Sequence, residues 1–131
     1  MPSTIEFPFS DDEALPTIPI TLSHAGFSVS ANALLDTGST VNLLPYDIGL
    51  QLGAIWEEQT VCLPLVGNLA RVEGRGLFVH IQIGHLEPVR LAFAWAQASQ
   101  VPLILGQTNF FRAFDVCFQR SRRTIEITRF H

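Results

Sequence analysis

The sequence predicts an all-β fold in which short strands close, fully or partly, into a barrel. Strand-like runs at residues 17–23 and 27–31 flank a turn at His24-Ala25-Gly26, and further turn signals follow at close intervals. Residues 124–128 alternate between polar and apolar side chains, as expected of an edge or interface strand. Because no repeat, linker or low-complexity segment interrupts the chain, we expect a single domain over residues 1–131.

A second hairpin and a short helix are also predicted. Strands at residues 61–66 and 71–78 flank a tip that begins Gly67-Asn68, two residue types that tolerate positive φ. One or two helical turns are expected between Pro45, suited to a helix start, and Gly53, suited to the position just past a helix end.

The composition excludes several classes of function. A net charge of −4 and a pI near 5.4 argue against a nucleic-acid-binding protein. Every formal cation is an arginine, which excludes Schiff-base chemistry and a P-loop lysine. No apolar run reaches the roughly 18 residues of a membrane helix, so no membrane partner is expected. Hydrophobic residues nevertheless make up 47% of the chain, and a subunit interface would cover the surplus.

Cysteine spacing and the distribution of charge give two further expectations. Cys62 and Cys117 form no zinc-binding pattern, and the first residues lack the features of a signal peptide, so we expect a reducing, cytoplasmic location and no metal. Acidic residues cluster near the start of the chain and arginines near its end, which predicts neighbouring termini. Residues 1–16 are a candidate interface strand or regulatory extension.

Asp36 is the residue with the clearest chemical potential. It follows the apolar run Ala33-Leu34-Leu35, and a carboxylate at the end of a buried strand is costly unless it is hydrogen-bonded. Gly38 allows a sharp turn that aims an amide at this carboxylate, while the hydroxyls of Thr37 and Ser39 are potential donors. These are also ordinary turn residues, so the tetrapeptide alone is equally consistent with a structural β-turn.

A second segment makes the interpretation more specific. The segment at residues 33–39 resembles the catalytic strand and loop of the retropepsin-like, single-lobe branch of the aspartic proteases. The apolar segment that ends at Gly106, with the short helix carrying Phe110 and Phe111, resembles the family's second signature, and the hairpin around Gly67 lies where the family has its flap. The resemblance extends from about residue 17 to residue 127.

The resemblance implies a single-lobe acid-protease barrel with a flap hairpin and one or two short helices. It also implies an aspartic endopeptidase that needs neither metal nor cofactor. Because no other aspartate precedes Thr-Gly or Ser-Gly, the two carboxylates of the active site must come from the Asp36 residues of a homodimer acting on an extended peptide. The catalytic residues implied are Asp36, Thr37 and Gly38. The substrate-binding residues implied are Ser39, Val66, Gly67, Asn68, Leu69, Leu103 and Ile104.

Two features set this sequence apart from retroviral members, and an alternative function stays open. An acid–arginine ion pair typical of those members is replaced by Thr40 and Gln107. Ser39 stands where many of them have Ala, so we expect its hydroxyl to donate to ionised Asp36 and to shift the active pH range downwards. The alternative is a catalytically silent, dimeric peptide-binding or scaffolding domain with the same fold.

Overall fold

Strands dominate the computed structural model, which describes residues 2–9, 16–65, 72–107 and 109–130, and the all-β prediction is confirmed. The elements along the chain are β1 Pro2–Pro8, β2 Thr17–His24, β3 Phe27–Leu35, β4 Asn42–Leu44, α1 Tyr46–Gln51, β5 Cys62–Leu65, β6 Val72–Gln82, β7 Val89–Ala96, β8 Ile104–Leu105, α2 Phe110–Ala113, β9 Asp115–Gln119 and β10 Thr124–Phe130. Single 3₁₀ turns lie at Trp56–Glu58 and Arg120–Arg122.

The larger sheet closes on itself. Its seven strands follow the order β2-β3-β8-β4-β7-β6-β5, and an additional antiparallel pairing joins β2 to β6. Inside the ring the side chains alternate as a half-buried strand requires. On β6, Leu77, Val79 and Ile81 are buried, whereas Phe78 and His80 point outwards. The β2–β6 pairing therefore converts an open sheet into a barrel with a filled interior.

Three aromatic residues support one side of the barrel. The ring of Trp95 stacks on Tyr46 with centroids 5.6 Å apart and meets Trp56 edge-on at 5.1 Å. The Trp95 indole N–H donates to the carbonyl oxygen of Tyr46 at 3.1 Å. The predicted helix is present as α1, with Pro45 at its N-cap and Gly53, at φ +74°, immediately after its C-cap residue.

The barrel brings the ends of β3 and β8 together. These strands run parallel, with Leu34 opposite Ile104 and Leu35 opposite Leu105. Strand β4 then pairs antiparallel with β8 through Leu43 and parallel with β7. The residues that follow β3 and β8 consequently emerge side by side, and this juxtaposition positions the candidate site.

The terminal strands form a separate three-stranded sheet in the order β1-β10-β9. The predicted proximity of the termini is confirmed, since β1 pairs with β10 from Pro2 opposite Phe130 to Pro8 opposite Thr124. Residues 124–128 were predicted to form an edge or interface strand, and the edge role is wrong, because β10 is hydrogen-bonded on both sides. Alternation of side chains reports which face of a strand is buried, here the face of Ile125 and Ile127, and does not report whether its edges are paired.

Two further boundaries differ from the sequence-based expectations. The apolar segment that ends at Gly106 forms a strand only at Ile104–Leu105. Strand β9, which begins at Asp115, was not predicted. Its side chains are exposed or half-buried, so the sequence carries no clear alternation there.

Candidate active site

The Asp36 carboxylate lies immediately beyond the buried end of β3. The backbone N–H of Asp36 donates to the Leu105 carbonyl oxygen at 3.1 Å, which continues the pairing of β3 with β8. The Gly38 N–H donates to Asp36 Oδ1 at 2.9 Å, and the Ser39 N–H donates to the Asp36 carbonyl oxygen at 3.1 Å. The turn expected from the sequence therefore forms, and its own backbone orients the carboxylate.

Ser39 does not take the role expected of its hydroxyl. Its Oγ donates to the Val41 carbonyl oxygen at 2.7 Å, so the hydrogen bond is made within the loop and not to the Asp36 carboxylate. The reason is local: Ser39 lies past the turn, where its hydroxyl reaches forwards along the chain. The expected donation from Ser39 to Asp36 is accordingly corrected, although Ser39 does line the cleft beside Asp36.

The segment after β8 braces this turn from the other side. The Gln107 backbone N–H donates to the Ser39 carbonyl oxygen at 2.8 Å, and its side-chain Nε2 donates to the Thr37 carbonyl oxygen at 2.8 Å. Gly106 has no room for a side chain, because a Cβ there would overlap the carbonyl oxygens of Ser39 and Val41. In the sequence, Gln107 was noted only because it replaces one member of an ion pair. In the structure it connects the segment after β8 to the turn after Asp36 through uncharged hydrogen bonds.

Asn42 is a buried polar residue that sequence reasoning did not single out. Its side chain is 0% exposed; Oδ1 accepts from the Gly106 N–H at 2.8 Å and Nδ2 donates to the Ala92 carbonyl oxygen at 3.1 Å. It therefore ties the loop after β8 to β7 as well as to its own strand. A signal was available, since an amide within the apolar run at residues 41–44 requires buried partners.

Asp36 opens into a cleft of about 540 Å³. Its walls are mostly apolar and include Leu43, Leu63 and Ile104. Leu103 does not line the cleft, because its side chain is 5% exposed and packs in the main core, so its expected substrate contact is corrected. Thr37 is exposed at the turn.

The hairpin of β5 and β6 forms one side of this cleft. Leu63, Pro64 and Leu65 of β5 line it. At the base of the hairpin, Arg75 Nη1 donates to the Trp56 carbonyl oxygen at 2.6 Å, and its guanidinium lies 4.5 Å from the centroid of the Trp56 ring. The predicted tip residues lie outside the described residues, so their contacts with substrate stay predictions: these are Val66, Gly67, Asn68 and Leu69.

The described parts of the chain contain neither a candidate metal centre nor a membrane-spanning helix. Among these residues, no group of three or more His, Cys, Asp or Glu side chains is placed to hold a metal ion. Likewise, none of the described helices has the length and apolar character needed to cross a membrane. Cys62 and Cys117 are exposed free thiols on β5 and β9.

Comparison with solved structures identifies the fold. A retropepsin-like aspartic protease from Rickettsia conorii matches 98% of this chain and 93% of its own, with a TM-score of 0.68 and 13% sequence identity. EIAV protease in complex with the inhibitor HBY-793 matches over 75% of this chain and 86% of its own, with a TM-score of 0.52 and 20% identity. No protein-family model and no curated protein sequence matches the chain. The chain therefore has the single-lobe, retropepsin-like aspartic protease fold that the sequence predicts.

The observed hydrogen bond of the Ser39 hydroxyl to Val41 predicts the effect of Ser39→Ala. The substitution removes a hydrogen bond inside the loop, so we expect unfolding free energy to fall by about 1 kcal/mol. For the peptide cleavage that the sequence predicts, the acid limb of kcat/KM against pH should be the same in Ser39→Ala as in wild type, because the hydroxyl does not donate to Asp36. Ser28→Ala, at an exposed position on β3, is the matched control. An acid limb at higher pH in Ser39→Ala than in wild type would instead support a hydrogen bond from the Ser39 hydroxyl to Asp36.

Proposed function

We propose that the chain is an aspartic-type endopeptidase whose active site forms from the Asp36 carboxylates of two identical chains. The observation that carries this proposal is the position of Asp36. Its carboxylate accepts the Gly38 N–H at 2.9 Å and opens into a largely apolar cleft of about 540 Å³. The fold in which this occurs is that of aspartic proteases.

The need for two chains follows from the acid–base chemistry. Peptide hydrolysis by water requires one group to accept a proton from the water and another to donate a proton to the substrate. Of the described residues that line the cleft, Asp36 alone is acidic. A single chain therefore supplies one of the two carboxyl groups, and a symmetric dimer supplies both at its two-fold axis.

The mechanism we propose uses one proton shared between the two carboxylates. Two such groups a few Å apart do not both ionise readily, so one is charged and the other protonated. The ionised Asp36 takes a proton from a bound water, which then attacks the peptide carbonyl carbon. The protonated Asp36 donates to the carbonyl oxygen, and a proton later passes to the leaving nitrogen.

The rest of the site is suited to an extended peptide. The cleft walls at Leu43, Leu63 and Ile104 are apolar and would contact substrate side chains. The Gly38 N–H is engaged by Asp36, so a Gly38 hydrogen bond to the substrate backbone would use its carbonyl oxygen. The hairpin of β5 and β6 would cover the peptide and exclude water.

The open strand edges of the terminal sheet favour one place for a second chain to dock. Strand β10 is not available to a second chain, because β1 and β9 occupy its two edges. The open edges of that sheet belong to β1 and β9, and unpaired strand edges are the natural sites of strand addition. Thr37 and Gly38 are also exposed, as a turn that meets its own copy must be before assembly.

The first test replaces Asp36 with Asn, which keeps the side-chain shape and removes both the acid and the base. We expect kcat/KM on a mixed peptide library to fall by at least about 10²–10⁴-fold, with the melting temperature nearly unchanged. Asp47→Asn on α1, where the residue is exposed, is the control and should stay active. Equal activity in Asp36→Asn and wild type would exclude the proposal. Peptide binding without cleavage by the wild type would favour the silent peptide-binding domain instead.

The second test concerns assembly. Because each chain supplies half of the site, specific activity should fall when dilution takes the protein below its dimer dissociation constant. Sedimentation velocity at the same concentrations should show dimers changing to monomers in parallel. Specific activity that stays constant while the protein sediments as a monomer would contradict a shared site.

A further inference from the structure

Two asparagine side chains hold the backbone of one residue on β7. The Nδ2 of Asn42 donates to the Ala92 carbonyl oxygen at 3.1 Å, and the Ala92 N–H donates to Oδ1 of Asn109 at 3.3 Å. We call these two side chains the amide clamp. The pairing of β4 with β7 begins one residue further along, with Asn42 opposite Phe93. The clamp therefore bonds to Ala92 as a neighbouring strand ordinarily would.

The amide clamp holds the loop between β8 and α2, which has little strand pairing to support it. Strand β8 is two residues long, and its pairing with β4 consists of Leu43 opposite Ile104. At the start of the loop, the Gly106 N–H donates to Oδ1 of Asn42 at 2.8 Å. At its end, Asn109 is the N-cap residue of α2. The clamp thus attaches both ends of this loop to β7.

Neither asparagine is needed by the element in which it lies. Asn42 is 0% exposed in the short apolar strand β4, and burial of an amide is unfavourable unless hydrogen bonds compensate for it. An asparagine at an N-cap ordinarily bonds to its own helix, but the side chain of Asn109 makes no capping hydrogen bond. Both amides are used instead for contacts between elements, and these contacts are what the two residues contribute.

The amide clamp lies between the turn after Asp36 and one wall of the cleft. Gln107, in the loop that the clamp holds, donates to the carbonyl oxygens of Thr37 and Ser39. On the other side of the clamp, β7 pairs with β6 and β6 pairs with β5, and residues of β5 line the cleft. Loss of the clamp would therefore release the Asp36 turn from the sheet that forms this wall.

We propose that Asn42 and Asn109 are positioning residues for peptide hydrolysis, which act through the loop after β8 to fix the Asp36 turn relative to the hairpin of β5 and β6. The inference rests on the proposed peptidase function and adds to it two residues that do not line the cleft. They act on the rate through the position of Asp36, since a misplacement of about 1 Å in an active site can cost about 10²-fold in rate.

The first test replaces the Asn42 amide with a carboxyl group of the same shape. In Asn42→Asp, a protonated side chain can still accept from Gly106 and donate to Ala92. An ionised carboxylate has no proton to donate and repels the Ala92 carbonyl oxygen. Burial favours the protonated form, so the amide clamp should be intact in acid and should open as the pH rises. Asn32→Asp makes the same change at an exposed position of β3 and is the matched control.

The measurement is hydrogen exchange of the Gln107 N–H, which donates to the Ser39 carbonyl oxygen. In Asn42→Asp we expect its protection factor to be near the wild-type value at about pH 5 and about tenfold lower or more at about pH 8. The amides of β6 should change less, and Asn32→Asp should match the wild type at both pH values. Wild-type protection of Gln107 at both pH values, or a loss of protection at Gly106 alone, would overturn the proposal.

The second test uses Asn109 and does not depend on the folding of Asn42→Asp. Asn109 enters the amide clamp through Oδ1, so Asn109→Asp keeps the acceptor, whereas Asn109→Leu, of similar shape, removes it. In Asn109→Leu we expect kcat to fall by about tenfold or more and KM to change by less than about threefold. Asn109→Asp should recover most of the lost kcat, because the Ala92 N–H again has a partner.

The kinetic comparison is made well below the melting temperatures of all the variants, so that a loss of stability alone does not lower kcat. Equal kcat in Asn109→Leu and wild type would overturn the proposal. A wild type that cleaves no peptide would overturn the proposed function, and hydrogen exchange at Gln107 would then decide by itself whether the amide clamp holds the Asp36 turn.

Discussion

The turn after Asp36 keeps its shape because a second segment of the chain is hydrogen-bonded to it. Gln107 donates to the carbonyl oxygens of both Thr37 and Ser39, and the Asp36 N–H donates to Leu105. The two segments meet only because β3 and β8 run parallel and end at the same level. The position of the carboxylate, the walls of the cleft and the exposure of the turn all follow from this hydrogen-bonded contact between the two segments.

The contact between the turn after Asp36 and the segment after β8 is made of uncharged groups. Where the retroviral sequences that this chain resembles pair an acid with an arginine, Gln107 uses an amide, and the buried Asn42 adds two further hydrogen bonds to Gly106 and Ala92. Amides do not titrate in the range where carboxylates do, and their hydrogen bonds are less sensitive to salt than exposed ion pairs. The loop should therefore keep its geometry over the pH range in which carboxylates titrate, as the proposed mechanism needs.

Sequence patterns predicted what depends on local chemistry. The barrel class, the turn after Asp36 and the helix between Pro45 and Gly53 were all evident from alternation, turn residues and helix-end signals. The central place of β10 was not, because strand alternation carries no information about edges. The hydrogen-bond partners of Ser39 and Asn42 could not be predicted from the sequence either. A hydroxyl or an amide can reach several backbone groups, and only the fold determines which of them is near.

The central claim is that one active site uses one Asp36 from each of two chains. Mixing wild-type and Asp36→Asn chains in equal amounts, with time for exchange, tests it directly at constant total protein concentration. If the site is shared, random pairing leaves about one quarter of the dimers with both aspartates, and activity should fall to that fraction of the wild-type value. Activity of about one half, the result for a complete site in each wild-type chain, would contradict the account.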